Sequence, residues 1–232
     1  MAAALQQLRQ SGQDYPQVGM FLDTSALTEV FGERPDLRED KPQAALYDMV
    51  RNFYRHIPAA FRCTVSTSSG VGYPVFLSDA DAFTDFDGTF VASLRRRFAA
   101  DFGGADLVVL GSANFKSKAK LDGYFTETRE KGFQFDSDGW IKTASVGPGY
   151  DTTYTIASAT DPVAFRARRE GATYRSDWTA ALAKHPDWVI LDGWNDYGTG
   201  SEVAASMESG FSTADLTRVL NSAASPRPEQ RV

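Results

Sequence analysis

The chain has 232 residues, of which 42% are hydrophobic and 12% aromatic, and it carries a formal net charge of −6. That length allows one large domain or two small ones with a substantial core, and the composition excludes a disordered chain. The acidic balance gives no electrostatic reason to bind phosphate backbones, so no nucleic-acid partner is expected.

Met1 to Gln10 form a short helical stretch rich in Ala, Leu and Gln. It lacks the basic start and apolar centre of a signal peptide. Five short apolar runs follow: Val18–Leu22, Tyr73–Leu77, Leu107–Leu110, Ile141–Val146 and Trp188–Leu191. Most are continuous rather than alternating, as in strands buried on both faces of a parallel sheet. Between them lies helical periodicity. Pro42 opens a segment in which Leu46, Val50, Phe53 and Ile57 share a face, and Pro58 ends it. Asp87 is placed to cap a helix that turns Phe90, Leu94 and Phe98 inward. A third helix starts near Ser176, buries Trp178 and Leu182, and stops before Pro186. A weaker one covers Thr213 to Leu220.

Alternating strands and helices define an α/β fold with parallel strands. Strand starts fall near or above the ~30 residues per unit of a (β/α)8 TIM-type barrel. Five strands can be identified where a barrel needs eight, so the expectation is a barrel incomplete at the N-terminus. It occupies residues 1–221 as a single domain, followed by a disordered tail, 222–232. No run of about 18 apolar residues is present, so no membrane span is expected.

Functional side chains of such a barrel sit just past the C-terminal ends of its strands. Those positions hold Asp23, Asp79, Asp81, Tyr150, Asp151, Trp194, Asn195, Asp196 and Glu202. Carboxylates with aromatics are the chemistry of sugar sites: carboxylates supply acid, base or nucleophile, and aromatic faces stack on sugar rings. The segment WVILDGWNDYGTGSEVAA, Trp188–Ala205, is the most informative. It puts Asp196 and Glu202 in a cleft, and the competing reading makes its Asp and Asn residues turn-formers that satisfy backbone. In Gly147-Pro148-Gly149-Tyr150-Asp151, the two glycines imply a turn with positive φ.

Other residues carry less. Arg95–Arg97 form a solvated helix face, and Arg166, Arg168 and Arg169 read the same, with a cleft position the lesser reading for Arg168. His56 and His185 favour structural roles at helix C-termini. With two histidines and the single Cys63, neither a disulfide nor a zinc site is expected, and no metal or cofactor is called for. Lys116, Lys118 and Lys120 are candidate Schiff-base residues of a different barrel enzyme, but their spacing reads as solvated.

At these segments the chain resembles the glycoside hydrolase family 99-like barrels, which include endo-α-mannosidases. The resemblance rests on YPQVGMFLDTSAL, YPVFLSDADAF, ASVGPGYDTT, REGATYRSDWTAAL and PDWVILDGWNDYGTGSEVAASMESG, in the family's order. It implies a (β/α)8 barrel acting on glycans without a cofactor, in an exported or periplasmic protein. The family's last motif reads approximately WNEWxEGTxIE. Its first Glu, which assists attack by the sugar's 2-hydroxyl, falls on Asp196. Its second, the acid/base, falls on Thr199, and its third acidic position on Ala204. Thr199 cannot be a general acid at ordinary pH, so Glu202, three residues on, is the expected substitute. Two functions follow. Asp196 and Glu202 catalyse hydrolysis with Asp23, Asp79, Tyr150, Asp151, Trp194, Asn195 and Tyr197 binding substrate, or the barrel binds glycans without cleaving them. Oligomeric state, sugar and linkage are not encoded legibly.

Overall fold

The computed structural model describes residues 2–153, 155 and 163–224. They belong to two compact units, 1–124 and 125–232.

The first unit runs α1 (Ala2–Gln10), β1 (Met20–Leu22), α2 (Ser25–Phe31), α3 (Asp40–His56), β2 (Val65–Thr67), β3 (Gly70–Leu77), α4 (Thr89–Asp101) and β4 (Asp106–Ser112), with β5 (Gly123–Phe125) at its boundary. The sheet order is β1-β3-β4-β5, and β2 pairs with β3. β1 and β4 both run parallel to β3, with Met20 opposite Val75 and Leu107 opposite Tyr73. Met20, Leu22, Val75, Leu77, Leu107 and Val109 share one buried cluster with Leu46 and Val50 of α3 and Phe90, Leu94 and Phe98 of α4. The expected inward faces of both helices are therefore the observed ones. Pro42 sits third in α3, among the first four residues whose N–H has no helical partner, so its missing donor costs nothing. Ile57, next to Pro58, is extended at φ −91°, as the proline ring demands, and the helix ends there. Asp87 accepts the Thr89 amide at 2.8 Å, although the cap position itself is Gly88.

The second unit comprises β6 (Gln134–Asp136), β7 (Thr143–Val146), β8 (Tyr150–Asp151), β9 (Phe165–Arg166), α5 (Ala172–Leu182), β10 (Trp188–Leu191) and α6 (Ser212–Ala224). β10 runs parallel to β7, with Val189 opposite Ala144 and Leu191 opposite Val146. β6 is antiparallel to β7, and β8 with β9 forms a separate antiparallel pair. The core is Ala144, Val146, Tyr174, Trp178, Ala181 and Val203. All five expected strands are present, and those that pair with one another do so in parallel. α5 starts four residues before the expected Ser176, because Gly171 at φ 84° turns the chain into it and buried Tyr174 anchors its first turn. α6 extends to Ala224, so the first residues of the expected tail are helical, and 225–232 lie outside the described residues. The molecule is thus mixed α/β with parallel strands. Among the described residues no helix is long and apolar enough to cross a membrane.

Candidate glycan site

The chain leaves β10 through Asp192 and Gly193. Gly193 has φ 85°, and a Cβ there would come within 2.6 Å of the Ser201 hydroxyl oxygen and 3.0 Å of its carbonyl. Only glycine allows the two ends of the loop to touch in this way. The loop is closed by amides of Val203 and Ala204 donating to the Trp194 carbonyl at 3.0 and 2.7 Å. It therefore forms a compact ring from Trp194 to Val203.

Asp196 is exposed within this ring. Its Oδ2 accepts the Thr199 hydroxyl at 2.6 Å and the Ser201 hydroxyl at 3.4 Å, and its Oδ1 accepts the Thr199 amide at 3.3 Å. The carboxylate is thus both presented outward and used as a turn-former. These hydrogen bonds are those of the turn-forming reading. The Thr199 hydroxyl is thus committed as a donor to Asp196. Trp194 and Tyr197 are 58% and 56% exposed, so both side chains are open to solvent. The Tyr197 hydroxyl is committed to the Ala205 carbonyl at 3.0 Å, which fixes the ring. Asn195 is exposed beside them.

Glu202 departs from its expected role. It is 6% exposed, and its Oε1 pairs with Arg168 Nη1 at 2.8 Å. The same guanidinium donates to the carbonyls of Gly200 and Glu202 and to the Thr213 hydroxyl at 2.9 to 3.0 Å. A carboxylate so enclosed braces the loop and is not offered to a ligand. Arg166 departs similarly from the solvated face expected of it: it donates to both oxygens of the buried Asp177 and to the Gly147 carbonyl. Arg169 is exposed.

Gly147 and Gly149 are required, but not for positive φ, which neither adopts. A Cβ on Gly147 would strike the Thr128 hydroxyl, and one on Gly149 would lie 2.5 Å from Arg168 Cγ. These close approaches bring Tyr150 and Asp151 to the loop, where the Asp151 amide donates to the Thr199 carbonyl at 2.7 Å. The Thr153 hydroxyl and amide hold the Asp151 carboxyl below the usual carboxylate range. Burial pushes the Tyr150 phenol up; Arg129 opposes the shift, and Glu127, Glu130 and Asp196 add to it. Tyr150 thus has charged neighbours from two segments. Sequence reasoning missed Glu127 and Arg129, which follow a three-residue strand too short to be read as one.

Asp23 and Asp79 lie in the first unit, past the ends of β1 and β3. Ser25 holds the Asp23 carboxyl below its usual range through its hydroxyl, at 2.7 Å, and its amide. Asp79 accepts the Asp81 amide at 2.9 Å and the Asn114 side chain from beyond β4. Buried Thr24 joins the two strand ends, donating to the Asp79 carbonyl at 2.6 Å. These carboxylates sit just past the ends of β1 and β3. Among the described residues no group of His, Cys, Asp and Glu is arranged to hold a metal. Lys118 is in an ion pair with Asp85, and Lys116 lies over the Tyr124 ring.

No protein-family model and no curated protein matches the chain. Its fold is similar to two structures of the GH99 endo-alpha-mannosidase from Bacteroides thetaiotaomicron. One, in complex with BIS-TRIS-Propane, matches with 15% identity and a TM-score of 0.51 over 81% of this chain and 67% of that one. The other matches with 15% identity and a TM-score of 0.50 over 78% of this chain and 63% of that one. The chain therefore spans about two thirds of those enzymes. At this identity the likeness is one of fold, and it gives the chain a glycoside hydrolase-like α/β fold.

Proposed function

We propose that this is a glycan-binding protein on a (β/α)8-type glycosidase barrel. Its loop 192–205 keeps the sugar-facing side chains and has lost the proton donor. Trp194 and Tyr197 supply stacking faces, Asp196 and Asn195 bind hydroxyls, and Tyr150 and Asp151 complete the site. Asp23 and Asp79 are proposed to bind sugar hydroxyls at the strand ends of their own unit.

The observation that carries the proposal is the buried pairing of Glu202 with Arg168. It removes the one carboxylate that stood near Thr199 as a substitute acid. Loss of a general acid typically costs about 10²–10⁴ in rate. Asp for Glu at 196 also withdraws the other carboxylate by a methylene, and a ~1 Å misplacement costs about 10² more. Binding survives both changes, because an ionised Asp still accepts sugar hydroxyls.

The test is a paired assay on α-mannoside and related glycans, measuring retention and cleavage, with Asp196→Asn as control. Retention without cleavage, weakened in the variant, is expected. Rapid cleavage that Asp196→Asn abolishes would restore the hydrolase reading. Retention indifferent to that substitution would remove Asp196 from the site.

A further inference from the structure

Asp192 grips a neighbouring segment of the chain with a single oxygen. Its Oδ2 accepts the Thr128 amide and the Thr128 hydroxyl, both at 2.6 Å, and the Arg129 amide at 3.3 Å. This fixes residues 127–129 against the end of β10. Arg129 has φ 37°, a conformation that non-glycine residues hold only under restraint from their surroundings. The short turn Arg129–Lys131 packs on β8 and on β9.

On either side of the gripped Thr128, two side chains point outward together. Arg129 Nε donates to Glu127 Oε2 at 2.5 Å, and the side chains are 60% and 48% exposed. Both charges act on the Tyr150 hydroxyl, as does that of Asp196. Glu127, Arg129 and Asp196 therefore lie within electrostatic reach of one phenol, although they come from separate segments. An exposed pair normally contributes little to stability, so stability alone gives no reason for a strained arginine here.

We propose that the glycan site extends onto this segment, with Glu127 and Arg129 as hydroxyl-binding residues and Asp192 as the residue that positions them. This rests on the reading of the 192–205 loop as a sugar site. A carboxylate that accepts and a guanidinium that donates, side by side, match two adjacent hydroxyls on one sugar ring. The charge count selects among sugars. Glu127 and Arg129 neutralise one another, so the pair offers no net charge to hold a uronate, sulfated or phosphorylated sugar. The ligand class is an uncharged sugar bearing vicinal hydroxyls.

The experiment applies the full chain to an array of neutral, amino and acidic oligosaccharides, then titrates the neutral glycan best retained. Glu127→Gln and Arg129→Met are each expected to weaken it about tenfold or more, since each removes a hydrogen bond to a charged group. Asp192→Asn should weaken it similarly. Combined with Glu127→Gln, it should cost little more than the larger single loss, because both act through one contact. Fully additive losses would overturn the positioning role of Asp192. Should Asp192→Asn fail to fold, the two exposed variants still decide whether the segment binds. Unchanged affinity in both, with Asp196→Asn or Trp194→Ala impaired, would overturn this extension alone. Preference for acidic glycans would overturn the ligand class, and retention of no glycan would overturn the extension together with the reading beneath it.

Discussion

The Arg168 guanidinium reaches Glu202 twice, at the carboxylate 2.8 Å away and at the backbone carbonyl 2.9 Å away. With further bonds to Gly200 and to Thr213 at the start of α6, it ties the end of the loop to a helix. The Glu202 side chain is 7% exposed and that of Arg168 28%. Removing one partner of such a pair strands the other charge away from water, at a cost of about 3 kcal/mol. Glu202→Gln and Arg168→Met should each lower the urea midpoint accordingly, and the double variant should lose less than the sum. Midpoints within error of the natural chain would mean the pair is not buried in solution.

If Thr199 marks a lost acid, restoring it should restore chemistry. Asp196→Glu with Thr199→Glu returns both carboxylates to the motif. Hydrolysis of an α-mannoside glycan by that double variant should exceed the natural chain's by about 10² or more, given what a general acid supplies. Equal rates in the two proteins would show that the deficit lies elsewhere.

How far the site was legible from sequence follows from contact range. The five parallel strands announce themselves as continuous apolar runs, and α3 and α4 through helical periodicity. β5, β6, β8 and β9, at two or three residues each, carry no periodic signal. Arg166 and Arg168 look like surface because charge usually is, but their partners Asp177 and Glu202 lie 11 and 34 residues on. Nothing local to an arginine reports such a partner. The glycines of GPGYD signalled a constraint correctly, but its nature, close approach to Thr128 and Arg168, is tertiary.

Gly193→Ala tests the closure of the ring. The new methyl meets Ser201 at both its hydroxyl and its carbonyl, and the backbone at φ 85° is strained for any L side chain. The left-handed conformation alone costs about 1 kcal/mol. Thermal denaturation should show a clear loss, larger than for alanine at Gly198, where nothing lies closer than 3.6 Å and φ is unexceptional. Equal effects at the two positions would contradict the contact.

The first unit carries a pH dependence of defined sign. The Arg38 side chain holds the Asp36 carboxyl down to about 2, and Lys118 holds Asp85 below its usual range. Carboxyls depressed by folding contribute stability that is fully present above their unfolded value near 3.8. That contribution is lost as pH falls from there through about 2. The melting temperature should therefore drop across that window, and Asp36→Asn should flatten part of the drop. A variant profile parallel to that of the natural chain would rule out Asp36 as a source.

Trp194 separates function from stability most cleanly. Its ring is 58% exposed and takes no part in the buried clusters of the second unit. A surface truncation of this kind typically changes stability by no more than about 0.5 kcal/mol. A stacking platform, in contrast, loses its apolar contact with the sugar ring when truncated. Trp194→Ala should therefore keep the melting temperature and weaken glycan retention about tenfold, while Trp194→Phe should recover part of the loss. A fall in melting temperature with unchanged retention would assign the ring to folding and withdraw it from the site.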